Sequence, residues 1–173
     1  MEMLYGKPDC LSTTQKMTAG ELAVVRASMK EGRAHDITLY IKKGDGYIFI
    51  AKPFYPPGLY RAPSGGVRRG EDFESGAKRE ALEETGVDIE LGKYILRINV
   101  RFQSPEKSID WTSHIFTAQY RSGEIEPLDK EEIREAKVIH LHEIPKLQKM
   151  MLNSGSGGLI YRAYLTEESG KRL

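Results

Sequence analysis

Cysteine is nearly absent from this sequence, and disulfide chemistry is absent with it. The 173-residue chain has one cysteine, Cys10, so no internal disulfide can form and we expect a reducing, cytoplasmic location. The sequence also lacks an apolar run long enough to cross a bilayer, which excludes a membrane-spanning helix. Its first residues are typical of neither a signal peptide nor an amphipathic transit helix, so we expect no targeting segment.

An excess of charge of either sign is lacking too. The 26 basic and 25 acidic side chains leave a formal net charge of +1, which predicts no broad attraction to nucleic acid or to a membrane surface. We therefore expect no membrane partner and no stable nucleic-acid partner. The length and composition are those of an ordinary globular domain.

A dense motif over residues 65–87 is what the sequence does contain. A glycine-rich stretch leads into a segment rich in Ala, Glu, Lys, Arg and Leu, which favour helices. Asp72 and Ser75 are residue types that favour the N-cap of a helix, and Gly86 favours helix termination in the left-handed conformation. These signals predict a helix over residues 73–85. Its inner side is predicted to hold Phe73, Ala77 and Ala81, with Leu82 and Thr85 as further candidates.

Three carboxylates share one face of this predicted helix. They are Glu80, Glu83 and Glu84, at positions i, i+3 and i+4. Their like charges repel one another at this spacing, and the repulsion favours protonation of some of them. A divalent cation removes that conflict, and carboxylate oxygens suit Mg²⁺ or Mn²⁺. The motif has neither Cys nor His, which disfavours zinc. The simpler alternative is a solvated acidic face, and Arg79 and the glycine-rich entry loop argue against it.

The motif resembles the Nudix box of the Nudix hydrolase superfamily. That pattern sets a glycine, a glutamate, an Arg-Glu pair, an apolar residue, a Glu-Glu pair, a glycine and an apolar residue at fixed spacing. Its positions are filled here by Gly65, Glu71, Arg79, Glu80, Ala81, Glu83, Glu84, Gly86 and Val87. The resemblance implies an α/β fold, namely a Nudix-type α/β/α sandwich with a mixed β-sheet and a loop-helix-loop catalytic motif.

The resemblance also implies roles for the residues of the box. The metal ligands would be Glu80, Glu83, Glu84 and a backbone carbonyl near Gly65. One of these glutamates would instead accept the proton of the attacking water in some members of the family. The residues at Glu71 and Arg79 would form a pair that orients the ligands and does not itself react.

Candidate site residues outside the box are fewer. The resemblance places another acidic residue near the metals, and we favour Glu132 slightly over Glu131; the alternative is a solvent-facing acid. Arg61 precedes the box, and Arg97 and Arg101 project from one face of a predicted strand. We interpret these arginines as candidates for gripping a phosphate of the substrate. The alternative for the strand pair is a solvated sheet face.

The hydrophobic pattern divides the chain into three parts. We predict an N-terminal helical arm over residues 1–35, a Nudix hydrolase domain over 36–153 and a C-terminal helical tail over 154–173. The arm should contain a helix that starts at the capping box of Thr18 and Glu21. Arms outside the motif domain are compatible with a homodimer. Strands are predicted at 36–43, 47–52, 94–103, 111–120 and 137–141, and later helices at 143–152 and 159–168.

The predicted function is hydrolysis of a small-molecule phosphoanhydride that depends on Mg²⁺ or Mn²⁺. The substrate would be a nucleoside diphosphate linked to another moiety X, with weak support from Pro105 for an ADP-ribose-like or nucleotide-type compound. The alternative is a catalytically silent Nudix-fold sensor or binding module, which usually lacks one of the box glutamates. Isomerisation of an isoprenoid diphosphate is disfavoured, since it needs a core cysteine and Cys10 lies in the arm.

Overall fold

One seven-stranded mixed sheet organises the protein, which a computed structural model describes from Met1 to Leu173. The strands are β1 (Asp9–Lys16), β2 (His35–Lys43), β3 (Gly46–Ala51), β4 (Ser64–Gly65), β5 (Asp88–Gln103), β6 (Ser108–Ser122) and β7 (Glu135–His140). Their order is β1-β5-β6-β2-β3-β7, and β4 pairs with β2. The β1–β5 and β2–β6 pairs are parallel, and the others are antiparallel.

Helices cover both faces of this sheet. They are α1 (Glu2–Tyr5), α2 (Ala19–Ser28), α3 (Phe73–Thr85), α4 (Ile144–Leu152) and α5 (Gly157–Gly170), with short 3₁₀ turns at Lys30–Gly32 and Leu141–Glu143. One face packs on Ala77 and Ala81 of α3, and the other on Met151 of α4 and Leu165 of α5. Two separate apolar cores flank the sheet, which confirms the predicted α/β/α sandwich. No helix is long and apolar enough to span a bilayer.

Helix α3 has the predicted bounds because its local signals are strong. Asp72 accepts a hydrogen bond from the backbone N–H of Ser75 at 2.8 Å, which satisfies a free donor of the first turn. Gly86 ends the helix with φ 78°, and a Cβ there would overlap the backbone carbonyl of Glu126, so only glycine fits. The prediction for Leu82 was wrong, because its side chain lies on the solvent side and is 38% exposed.

The N-terminal segment differs from the predicted helical arm. Strand β1 pairs in parallel with β5, from Leu96 to Gln103, and so belongs to the sheet. Its sequence has little apolar alternation because an edge strand buries little of its length, and this hid it. Helix α2 follows β1 and has the capping box of Thr18 and Glu21. The domain limits at residues 36 and 153 stay a prediction.

The long strands β5 and β6 extend further than the pattern predicted. β5 begins at Asp88 instead of residue 94, and its pairing with β6 shifts register between Leu91 and Tyr94 and again before Leu96. Such bulges break the alternation of inward and outward side chains. The alternation that the sequence shows therefore begins only at residue 94, although the strand starts at Asp88.

A half-buried histidine next to α3 is expected to make the stability of the protein depend on pH. His114 on β6 packs against the ring of Phe73, with centroids 5.1 Å apart, and its Nδ1 lies 2.5 Å from the Tyr94 hydroxyl. Burial, and then the neighbouring His35, lower the pKa of His114 to about 4. The folded protein therefore holds this imidazole neutral at pH values where the unfolded chain protonates it.

Acidification should accordingly destabilise the protein through His114. The neutral imidazole contributes fully to the free energy of unfolding above the unfolded pKa of about 6.5. This contribution is lost as the pH falls toward about 4, and the loss is at most about 3 kcal/mol. The free energy of unfolding, measured with urea across this pH range, should depend less steeply on pH for His114→Asn than for the wild type. The exposed His142→Asn variant is the control and should keep the wild-type slope. Equal slopes for all three proteins would contradict the assignment.

Candidate active site

A cleft of about 480 Å³ opens beside α3, between the box loop (residues 64–72, which lead into α3) and the segment that leads into β7. It contains most of the residues that the sequence singled out. Those that line it are Arg61, Gly65, Glu80, Glu83, Glu84 and Glu132. The fold therefore gathers the box, the residue before it and a later loop into one polar site.

Strand β4 fixes the entry loop of the box against the central strand β2. Gly65 pairs with Ile37, and Ser64 pairs with Thr38. This holds Gly65 so close to α3 that an added Cβ would overlap the carboxylate of Glu80. Glycine is thus required at this position because the backbone and the Glu80 carboxylate approach each other too closely for any side chain.

Arg79 connects the loop and the acidic face of α3. Its Nε and Nη2 bind the two carboxylate oxygens of Glu71, each at 2.9 Å, and Nη2 also donates to the carbonyl of Gly66 at 2.8 Å. Its Nη1 reaches Glu80 at 2.7 Å and Glu83 at 3.0 Å. The hydrogen bonds from Arg79 lower the pKa of Glu71. Bidentate geometry of this kind fixes both partners in orientation.

Glu84 is the most deeply buried of the three box carboxylates. Only 5% of the residue is exposed, and its Oε2 accepts a hydrogen bond from the backbone N–H of Ser64 at 2.8 Å. Desolvation raises the pKa of Glu84 to about 7, and the charge of Arg61 counteracts part of that rise. Burial raises the pKa of Glu80 as well. Both carboxylates thus lie where added positive charge would stabilise their ionised form.

The three box carboxylates do not converge on a single point. No group of three acidic, histidine or cysteine side chains is close enough to hold a metal ion. Arg79 binds Glu80 and Glu83, and Arg68 binds the other oxygen of Glu83 at 2.9 Å. Basic side chains therefore occupy the positions around the carboxylates. The donor set still fits a hard divalent cation, because it consists of oxygens in a desolvated site that favours positive charge.

A later loop brings further acidic groups to the same cleft. The backbone N–H groups of Leu128 and Asp129 both donate to the carbonyl of Glu83 at 3.0 Å, which ties the loop to the end of α3. Glu132 lies at the exposed lip and pairs with Lys52 at 3.5 Å. Glu132 therefore lines the same cleft as the box carboxylates, and so does Asp129, which the sequence had not singled out; a role for Glu132 at the metal ions stays a prediction.

Arg61 lines the cleft, but most of its guanidinium donors form hydrogen bonds within the protein. It is 5% exposed, its Nε donates to the Tyr55 hydroxyl at 2.8 Å, and its Nη1 donates to the Ala62 carbonyl and the Ser64 hydroxyl. These contacts hold the loop around Ser64 in place. The role of Arg61 in substrate binding stays a prediction.

Arg97 and Arg101 lie away from the cleft, so the structure contradicts their proposed contact with substrate. They share a face of β5 as predicted, but β6 separates β5 from β2 and the box loop. Arg97 borders a shallow surface depression with His35, and Arg101 forms a bidentate pair with Asp110 at 2.8 and 3.2 Å. Strand spacing alone could not reveal how far β5 lies from the box.

A buried polar network at one end of the cleft escaped the sequence analysis. Asp36 accepts hydrogen bonds from the indole N–H of Trp111 at 3.0 Å and from Ser113 at 2.7 Å, and Arg162 of α5 binds its other oxygen at 3.2 Å. Asp36 and Arg162 are far apart in sequence, so no local pattern pairs them. Asp36 at the start of an apolar strand was the only signal.

The fold and the box define a Nudix hydrolase, an enzyme that cleaves phosphoanhydride bonds. A family model of the NUDIX domain matches residues 32–160, and the chain belongs to this family.

Relatives of the chain include a mouse protein named oxidized purine nucleoside triphosphate hydrolase. The two are 29% identical over 117 residues, which cover 68% of this chain and 72% of the mouse protein. The NAD-capped RNA hydrolase NudC of Photobacterium profundum is 32% identical over 116 residues, covering 64% of this chain. This chain spans only 39% of the length of that NudC protein.

Solved structures show the same fold at low identity. A NUDIX hydrolase from Nitrosomonas europaea has a TM-score of 0.57 and 20% identity, covering 81% of this chain and 91% of its own. A UDP-X diphosphatase has a TM-score of 0.53 and 16% identity, covering 87% of this chain and 73% of its own. At these identities the likeness supports the fold and carries no argument about substrate.

Proposed function

We propose that this Nudix hydrolase cleaves a nucleoside diphosphate linked to another moiety X and depends on a divalent metal ion. Water attacks one phosphorus, the bond from that phosphorus to the bridging oxygen breaks, and two phosphorylated products leave. The observation that carries the proposal is the desolvated Glu84, next to the other box carboxylates in a cleft lined by six basic and six acidic side chains.

The box residues would hold the metal ion. Glu80, Glu83 and Glu84 are the proposed ligands, together with the backbone near Gly65. A bound Mg²⁺ or Mn²⁺ supplies charge neutralisation for the diphosphate and a lowered pKa for a coordinated water. Arg79 orients Glu80 and Glu83 through its contacts on α3, as residues behind metal ligands commonly do.

Proton transfer from water requires an acceptor whose pKa lies near the working pH. Burial brings the pKa of Glu84 to about 7, a suitable value for a general base. Glu84 is therefore proposed as ligand or base, with Glu132 at the lip of the cleft as a further acidic group near the substrate. The role of general base needs the carboxylate, and as a ligand an amide oxygen would bind the cation more weakly.

The proposed substrate class is a small nucleotide-type phosphoanhydride. The mouse relative's name refers to purine nucleoside triphosphates, and the NudC name refers to an NAD cap; both are phosphoanhydrides that contain nucleotides. The alternative, a silent sensor on the same fold, is weakened because Glu80, Glu83 and Glu84 are all present. A homodimer, a cytoplasmic location and the lack of a stable nucleic-acid partner stay predictions.

A substrate panel tests this function directly. The protein would be incubated with ADP-ribose, NADH, nucleotide sugars, dinucleoside polyphosphates and nucleoside triphosphates, with Mg²⁺, with Mn²⁺ and with a chelator. We expect turnover of at least one compound that requires the metal and stops on chelation. Tight binding of one compound without turnover under any condition would instead favour the sensor.

A further inference from the structure

Two basic side chains in the cleft have no acidic partner. Lys30 and Arg33 line the cleft, and both come from the segment that precedes β2. Neither forms an ion pair within the chain. Two uncompensated positive charges in a concave polar site attract an anion.

The other basic residues of the cleft are already engaged. Arg68 binds Glu83 at 2.9 Å, Lys52 binds Glu132 at 3.5 Å, and Arg162 binds Asp36 at 3.2 Å. Arg61 makes three hydrogen bonds within its own loop and lies near Glu84. The available positive charge is therefore concentrated at Lys30 and Arg33.

Arg33 is held against the entry loop of the box. Its Nη2 donates to the carbonyl of Ser28 at 3.0 Å, and its guanidinium lies so close to Gly66 that an added Cβ there would overlap it. Its Nε is buried and has no hydrogen-bond partner. A buried donor without an acceptor costs about 1–3 kcal/mol, so the protein itself does not satisfy all the hydrogen-bonding capacity of this guanidinium.

The backbone between the two basic residues is unusual. Glu31 has φ 56° and Gly32 has φ 77°, and together they reverse the chain between Lys30 and Arg33. A glutamate in this left-handed region is disfavoured. Lys30 and Arg33 flank this turn, and both line the cleft.

We infer that Lys30 and Arg33 form a second anion subsite, which binds a phosphoryl group of the substrate beyond the diphosphate at the box carboxylates. The substrate class is then nucleoside triphosphates and other compounds with three or more linked phosphates. This inference rests on the proposed function, since it assumes that the box carboxylates mark the reacting diphosphate. Nη1 of Arg33, which makes no hydrogen bond within the chain, and the ammonium group of Lys30 would donate charge-assisted hydrogen bonds to the phosphoryl oxygens.

Binding of inorganic phosphates isolates this subsite from catalysis. Trp111 is the only tryptophan of the chain and lines the same cleft, so its fluorescence reports occupancy. Tripolyphosphate and pyrophosphate would be titrated at low ionic strength with saturating Mg²⁺, and phosphate release would be assayed in parallel so that only binding of the intact compounds is compared. We expect tripolyphosphate to bind about tenfold more tightly, because it adds charge-assisted contacts to Lys30 and Arg33.

Three substitutions and one control test the residues themselves. Arg33→Ala and Lys30→Ala should each reduce the preference for tripolyphosphate, whereas Arg69→Gln should not, because Arg69 is exposed in the box loop and does not line the cleft. Gly66→Ala should reduce the preference by displacing Arg33. In an Arg33→Ala background, Gly66→Ala should have no further effect on the preference.

The outcomes separate this inference from the proposed hydrolase activity. Equal affinities for the two phosphates in the wild type, or a preference that survives both Arg33→Ala and Lys30→Ala, would overturn the subsite. Lys30 is exposed and makes no side-chain contact that folding needs, so Lys30→Ala stays informative even if Arg33→Ala unfolds. Turnover in the substrate panel with no such preference would leave the hydrolase standing and reject the subsite alone.

Discussion

Replacing Glu84 with glutamine is expected to lower kcat by about a hundredfold or more, the effect typical of losing a general base. The amide keeps the size of the side chain and an oxygen that can accept the hydrogen bond from Ser64. It removes the proton acceptor, and it leaves a neutral oxygen that binds a divalent cation more weakly than a carboxylate does. Steady-state kinetics on the best substrate of the panel, at saturating metal, measure the change.

Stability separates a catalytic loss from a folding defect in this variant. Ionised Glu84 is disfavoured by burial, so the neutral amide should leave the free energy of unfolding of the metal-free protein unchanged or higher. Glu74→Gln on the same helix is the matched control, because Glu74 lies outside the cleft, and it should keep wild-type kcat. Wild-type kcat in Glu84→Gln would exclude Glu84 as the general base.

Replacing Arg79 with alanine should damage both stability and activity. The change removes contacts to Glu71, Gly66, Glu80 and Glu83 and leaves partly buried carboxylates unpaired. Breaking such a network costs about 3 kcal/mol in the free energy of unfolding. Loss of ligand orientation should raise the Mg²⁺ concentration needed for half-maximal activity by roughly tenfold to a hundredfold.

The neighbouring residue provides the control for Arg79. Lys78 forms an exposed pair with Glu74 on α3, so Lys78→Ala should change the free energy of unfolding by no more than about 0.5 kcal/mol and leave the metal dependence intact. Arg79→Lys should recover part of the stability but little of the metal dependence, because lysine lacks the planar fork. An unchanged Mg²⁺ dependence in Arg79→Ala would refute the orienting role.

Local sequence signals were enough to predict the bounds of α3 and to recognise the box. The N-cap at Asp72, the glycine stop at Gly86 and the helix formers between them act within a few residues of one another, so their effect does not depend on the rest of the fold. The shared face of Glu80, Glu83 and Glu84 follows from helical spacing alone. The family and the fold class followed from these residues.

Contacts between distant segments were not encoded in any local pattern. Arg97 and Arg101 share a strand face as alternation requires, yet only the order of strands shows that β6 separates them from the box. Strand β1 escaped prediction because its partner β5 supplies the pairing that its own sequence does not signal. Long-range pairing is set by the whole sheet, which a residue pattern cannot reveal.

By itself, the sequence determined the motif, the helix that carries it and the class of enzyme, because spacing and capping act locally. Only the tertiary structure decided which charges share the cleft. It placed Lys30 and Arg33 beside Gly66, bound Arg162 to Asp36 and buried Glu84 under the box loop. Electrostatic interactions depend on distance and desolvation, and both are fixed only when segments far apart in the chain pack together.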